Sequence, residues 1–244
     1  MKQSLRMISL ILLIAMALSV VLPGCAQTPE PTATEPVTEP ATEEITQPPT
    51  EIPTQMPTEP PEDEDLVRVA DFIPSIQELL IYATEENFTE VQIYDFYNAY
   101  LRYGTVKKLA AVCDELETLG LGILIWDGFR PVSAQAALWE ICPDPRYVSN
   151  PVTGTRAHCR GNAVDLTLID LETGERCLMP TDFDVFSDLA DRDYSDCDPE
   201  AAANARLLET IMEKHGFKPY RAEWWHFTDT DSYPVEEEFE PPVG

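Results

Sequence analysis

The hydrophobic and polar positions of this chain divide it into short segments. Residues 121–126, Leu-Gly-Ile-Leu-Ile-Trp, form an apolar run rich in branched side chains, as expected of a buried strand. Residues 163–169 alternate with period two, which places Asp165, Thr167 and Ile169 on one face of another strand. Between residues 105 and 119, Leu109, Val112, Cys113, Leu116 and Leu119 recur at helical spacing. Thr105 is the expected N-cap and Gly120 the expected terminator of that helix. Further helices are predicted from Ser133 to about Ile141 and from Pro199 to His215. Residues 170–174 read as a turn into a partner strand near 176–179, residues 179–184 as an acidic loop, and residues 217–228 as a final strand. The pattern predicts an α+β fold: one domain with a small central antiparallel sheet flanked by helices.

Composition confines that domain to the middle of the chain. Of 244 residues, 44 are Asp or Glu and 16 are Lys or Arg, for a formal net charge of −28. The acid is uneven. Residues 26–65 are a Pro/Thr/Glu tract with eleven acids and no base, too poor in bulky apolar groups to bury a core. They read as a disordered, solvated tether. Residues 229–244 carry six more acids and no base, and read as an acidic tail outside the fold. The folded domain is expected over 66–228. No basic patch stands out, which argues against nucleic acid as a partner.

The first 25 residues are a targeting segment. Lys2 and Arg6 precede an apolar run over 7–22, and Leu22-Pro23-Gly24-Cys25 follows. This resembles the lipobox of a bacterial lipoprotein, with Cys25 as the lipidated residue. The apolar run is short for a bilayer span, which needs ~20 residues. The expected location is extracytoplasmic, anchored to the cell membrane through the lipid. Five cysteines remain, at 113, 142, 159, 177 and 197. The number is odd, no pairing follows from it, and no CxxC suggests a cysteine zinc cluster. Cys159 adjoins His158 but points away from it in a strand or turn, so a thiol nucleophile is not expected.

The candidate chemistry lies in three short stretches. Thr155-Arg156-Ala157-His158-Cys159-Arg160-Gly161 leads into the strand that carries Asp165. An imidazole and a carboxylate offer two ligands, and a catalytic zinc takes three plus a water. The third should be a histidine elsewhere. His226 is favoured because Glu223-Trp224-Trp225-His226 sets a carboxylate three residues before it. His215, at a helix end before Gly216, suits the helix dipole instead. A straight strand would put positions 223 and 226 on opposite faces, so a bend or bulge is expected between them. Asp127-Gly128-Phe129-Arg130-Pro131 supplies a guanidinium, and Pro131 keeps Arg130 out of helical angles.

Taken together and in order, these three motifs resemble the zinc D-Ala-D-Ala dipeptidases of the vancomycin-resistance type, in peptidase family M15. That group sits in one superfamily with the zinc D,D-carboxypeptidases and has a Hedgehog/D,D-peptidase-like fold. The resemblance spans roughly residues 66–228. It implies one zinc per domain, held by His158, Asp165 and His226, with Glu223 as catalytic base and Arg130 as transition-state stabiliser. It further implies that Tyr82 and Asp184 meet the substrate's ammonium. The family usually has Ser two residues before the first histidine, where it helps bind the substrate carboxylate; this chain has Arg156, which could pair with a carboxylate bidentately. The expected activity is hydrolysis of D-Ala-D-Ala or a related cell-wall dipeptide outside the cytoplasm. The alternatives are a zinc D,D-carboxypeptidase trimming peptidoglycan stem peptides, and a non-catalytic wall-binding lipoprotein.

Overall fold

A computed structural model describes residues 59–243. The predicted signal peptide, Cys25 and most of the predicted tether lie outside the described residues. Among the described residues, no helix is long and apolar enough to cross a membrane.

Among the described residues, seven strands and three α-helices build an α+β fold with two sheets. In chain order they are β1 (Leu66–Arg68), β2 (Gln77–Glu78), β3 (Tyr100–Arg102), α1 (Tyr103–Glu117), β4 (Leu121–Asp127), α2 (Val132–Ile141), β5 (Ala163–Asp170), α3 (Pro199–Lys214), β6 (Phe217–Pro219) and β7 (His226–Asp229). The central sheet runs β2-β4-β5-β7-β6. It is antiparallel except at one edge, where β2 pairs parallel to β4. A second, two-stranded antiparallel sheet joins β1 to β3.

β4 and β5 are the centre of the core. Six of the seven residues of β4 and seven of the eight of β5 are buried, so both faces of these strands are covered. α1 turns Leu109, Val112 and Leu116 into this core, and α3 adds Leu208 and Met212; all are fully or almost fully buried. Each such side chain contributes about 1.5–3 kcal/mol of hydrophobic stabilisation. α3 starts where Asp198-Pro199 predicts. The Asp198 carboxylate accepts from the backbone N–H groups of Glu200 and Ala201, a cap worth about 1 kcal/mol.

Several local expectations are corrected. α1 begins two residues before Thr105, which is not its cap. The Thr105 hydroxyl is buried and donates to Asp229 Oδ2 at 2.7 Å. α2 begins one residue before Ser133, directly after Pro131. Gly120 does end the first helical segment, at φ +75°. The partner strand near 176–179 is reduced to a single bridge between Ile169 and Arg176. The final strand is a hairpin: β6 and β7 are separate strands, joined by a turn over 220–225.

The acidic segment after Asp229 packs back onto the domain. Tyr233 is buried, Glu236 pairs with Arg102, the Glu236 N–H donates to Cys159 O at 2.8 Å, and the Phe239 ring meets Tyr100 and Phe129. At the other end Asp63 pairs with Lys107, so the ordered contacts start before Leu66. Charge alone does not keep these segments out of the fold, because buried or half-buried cations on α1 and β3 meet them. All five described cysteines are free thiols. Burial pushes the Cys159 thiol up to about 11 and the Cys113 thiol up to about 12, the opposite of an activated nucleophile.

Candidate active site

Strand register assembles the site. Asp127 on β4 is the Cα partner of Asp165 on β5, and Asp165 is the partner of His226 on β7. Directly paired residues share a face, so these three form a row across the sheet. A register shift in β4 between Ile125 and Asp127 brings Asp127 into that row. On β7, Phe227 and Asp229 are buried in the core while His226 and Thr228 are partly open, as strict alternation requires.

His158 enters from a 3-10 turn, His158–Arg160, that ends at Gly161 with φ +70°. The left-handed angle favours glycine, and the one close neighbour of an added Cβ would be the end of the Leu66 side chain. The turn returns the chain into β5 and aims the His158 ring at Asp165 and His226. His158 Nε2 lies 3.2 Å from His226 Nδ1, and His226 Nδ1 lies 2.9 Å from Asp165 Oδ1. One donor atom from each of His158, Asp165 and His226 lies within 4.8 Å of the others.

The other ring nitrogens show what this cluster is built for. His158 Nδ1 donates to the Gly128 carbonyl at 2.8 Å, which leaves Nε2 with its lone pair facing the cluster. His226 Nε2 contacts Thr228 Oγ1 at 3.1 Å, which turns Nδ1 inward. Two imidazole nitrogens and a carboxylate, each oriented from behind, fit a divalent metal with an open coordination position. Burial opposes ionisation of Asp165, but His158 and His226 outweigh it and hold its carboxyl well below the usual range.

Glu223 sits in the turn before β7, not on a strand. The His226 N–H bonds back to Glu223 O at 3.3 Å, and this turn supplies the expected bend. Glu223 Oε2 lies 3.9 Å from His226 Nδ1. Burial raises its carboxyl well above the ordinary range, and the Asp165 and Asp184 carboxylates push it further. The third histidine, His215, is remote from this centre: it caps α3, and its Nε2 lies 2.6 Å from Glu115 Oε2.

Arg130 is buried and pinned. Its Nε and Nη2 bond to Asp127 Oδ2, its Nη1 donates to Gln135 Oε1 at 3.0 Å, and Nε also approaches the Tyr94 hydroxyl at 3.3 Å. Its backbone N–H donates to His158 O at 3.2 Å, tying the two motifs together. A guanidinium has five N–H groups, so one on each terminal nitrogen remains for a ligand. Tyr82, buried, lies with its ring 5.1 Å from the Arg130 guanidinium carbon and donates its hydroxyl to Asp184 Oδ2 at 2.8 Å. Asp184 takes φ +58°, a left-handed angle at a non-glycine residue that strains the backbone. Burial lifts its carboxyl to about 7; the Tyr82 hydrogen bond works against this and Asp165 adds to it.

A family model described as D-Ala-D-Ala dipeptidase, Peptidase M15, matches residues 62–241. A D-alanyl-D-alanine dipeptidase of Escherichia coli K12 is 36% identical over 70% of this chain and 89% of its own length. The chain belongs to the M15 D-Ala-D-Ala dipeptidase family. Dipeptidases of the same name from Enterococcus faecalis and Streptomyces coelicolor are 35% and 34% identical, over 63% and 67% of this chain and 86% and 91% of theirs. Among solved structures, a Zn(II) complex of a vancomycin-resistance D,D-pentapeptidase variant aligns over 55% of this chain and 74% of that chain, at 16% identity and a TM-score of 0.36. The protein is an enzyme, a metallopeptidase of this family.

A cavity of about 570 Å³ is lined by the ligand triad, Glu223, Arg130, Tyr82 and Asp184 among others. One expected residue is missing from it. Thr155 and Ala157 line the cleft, but Arg156 between them does not. Arg156 adopts φ +49°, donates its backbone N–H to Ser149 Oγ, and holds its Nε buried without a partner among the described residues.

Sequence reasoning also missed the groups that hold the site in place. Asp127, Tyr94 and Gln135 fix Arg130. Asp127 stood inside a recognised motif, and its spacing of three from Arg130 was the available signal. Arg192 had no such signal. Its guanidinium donates to three backbone carbonyls, Tyr220 O at 2.8 Å, His226 O at 2.9 Å and Glu223 O at 3.0 Å, and pairs with Glu209 on α3 at 3.0 Å.

Proposed function

We propose that this enzyme is a zinc-dependent dipeptidase that hydrolyses D-Ala-D-Ala or a related cell-wall dipeptide outside the cytoplasm. The observation that carries the reading is the convergence of His158, Asp165 and His226 on one point, with Glu223 3.9 Å from His226 Nδ1 and Arg130 lining the same cleft. Zinc bound by that triad supplies a nucleophile at neutral pH by acidifying water, and polarises the scissile carbonyl.

The protein groups do the rest. Glu223 accepts the proton of the attacking water and returns it to the leaving amine nitrogen. Its burial among carboxylates raises its affinity for that proton above that of an ordinary carboxylate. Arg130 donates its spare N–H groups to the carbonyl oxygen as negative charge grows there, and Asp127 and Gln135 hold it so that no reorganisation is needed at that moment. Asp184, oriented by Tyr82, receives the free ammonium of a dipeptide. A stem peptide, whose amino end continues into the wall, offers no such charge to a half-buried carboxylate.

The location reading rests on residues 1–25, with Cys25 as the lipidated residue and the acidic Pro/Thr/Glu tract as spacer. An exported enzyme acts on wall fragments rather than on cytoplasmic precursors, so salvage or trimming fits better than precursor removal. Recovery of the native protein in the cytoplasmic fraction would sink this part.

The deciding experiment measures metal content and amine release from D-Ala-D-Ala, with and without chelator, beside a stem pentapeptide. Chelator-sensitive release from the dipeptide, exceeding that from the pentapeptide, is expected. Preference for the pentapeptide supports the carboxypeptidase instead, and activity that survives complete metal removal overturns the mechanism.

A further inference from the structure

The cleft is charged at both ends, and only one end is used by the chemistry above. At the β2–β4 side stand Asp184 and Tyr82. At the opposite edge, β6 contributes Lys218 to the lining. Lys218 is the Cα partner of Thr228, two residues from His226, so register places it on the same face as the metal ligands. The Thr228 hydroxyl in turn lies against His226. An acid, a metal-ligand cluster and a cation therefore follow one another across the sheet.

Lys218 is exposed and uncommitted. The other lysines of the described residues are all paired: Lys107 with Asp63, Lys108 with Asp229 and Asp231, and Lys214 with Glu115. Lys218 makes no ion pair among the described residues. The other cations that line the cleft are engaged, Arg130 with Asp127 and Arg146 with Asp144. Arg156, the cation expected at the carboxylate, does not line the cleft. A free dipeptide is a zwitterion, and its carboxylate needs a positive partner at the end away from Asp184. An ammonium on a flexible four-carbon stem suits that task.

We propose that Lys218 binds the C-terminal carboxylate of the substrate and so fixes the direction in which it lies across the metal site. The inference rests on the dipeptide reading above. It makes residue 218 a specificity determinant in place of residue 156.

The test uses the full-length, zinc-loaded protein carrying Glu223→Gln, so that ligand is not consumed, and titrates D-Ala-D-Ala and its C-terminal amide by calorimetry. Adding Lys218→Met should weaken binding of the free acid by about tenfold, the size of one charge-assisted hydrogen bond at an exposed site. It should leave the amide unaffected, and Lys218→Arg should recover most of the loss. In the active enzyme, Lys218→Met should raise KM for the dipeptide more than for the amide. Equal affinity with and without Lys218→Met, or equal losses for acid and amide, overturns the Lys218 assignment alone. If neither compound binds while Lys218 is intact, the dipeptide reading falls with it.

Discussion

The two arms that deliver the metal ligands are held by opposite means. The first arm runs from His158 to Asp165 and is fixed by main chain. Gly161 makes the turn, the Gly161 carbonyl accepts from Arg102 N at 2.8 Å, the His158 carbonyl accepts from Arg130 N, and Asp165 sits within paired strands on both sides. The second arm runs from Glu223 to His226 and is a turn whose carbonyls face a single guanidinium. Arg192 arrives from a loop some thirty residues earlier, lies over the Phe227 ring at 4.5 Å, and is anchored to α3 through Glu209. The difference teaches where precision comes from. A strand needs little help to place a ligand, whereas a turn that carries a catalytic carboxylate needs a partner from elsewhere to immobilise it.

Four changes test this contrast, taken from the largest expected effect to the smallest. Glu223→Gln removes the proton carrier on the second arm while its amide keeps the shape of the side chain. It should lower kcat by about 10²–10⁴ with the metal retained, as read by steady-state kinetics beside metal analysis; loss of the metal instead would make Glu223 a ligand rather than a base. Arg192→Ala removes the charged donor shared by three carbonyls and the Glu209 carboxylate. It should cost about 2–4 kcal/mol of stability and loosen metal binding, measured by denaturant unfolding and by competition with a chelator.

Gly161→Ala is the matching change on the first arm. Its left-handed φ costs an alanine about 1–2 kcal/mol. If Gly161→Ala proved more damaging to metal affinity than Arg192→Ala, the proposed contrast between the arms would be reversed.

The smallest effect is a pH dependence at the ammonium end of the cleft. The Asp184 carboxyl is lifted by burial to about 7, and only its ionised form pairs with an ammonium. KM for a dipeptide should therefore fall as pH rises to about 7 and level off above it. Below that point, the ionised fraction drops about tenfold per pH unit. Asp184→Asn should raise KM and flatten the profile; a KM that rises with pH across this range would remove Asp184 from substrate binding.

The same contrast explains what was legible before any coordinates. His158, Asp165, Glu223, His226 and Arg130 stand in motifs whose residue types already suit metal binding and acid–base work, and the structure brings all five to one cleft. Thr105 was misread because a hydroxyl before a helical run looks like a cap; its bond to Asp229, distant in sequence, won instead. The segment after Asp229 was misread because its charge was weighed without the cations that receive it, Arg102 and Lys108 among them.

The amino-acid sequence on its own determined the helical segments, the two central strands and the motifs that carry the candidate ligands. Those depend on local periodicity, backbone freedom and donor type, all of which one stretch of chain contains. Tertiary structure alone decided the strand register that lines up Asp127, Asp165 and His226, the grip of Arg192 on the catalytic turn and the placement of Lys218 in one cleft with Asp184. Each of these is a relation between distant segments, and its energy exists only once packing has brought them within reach.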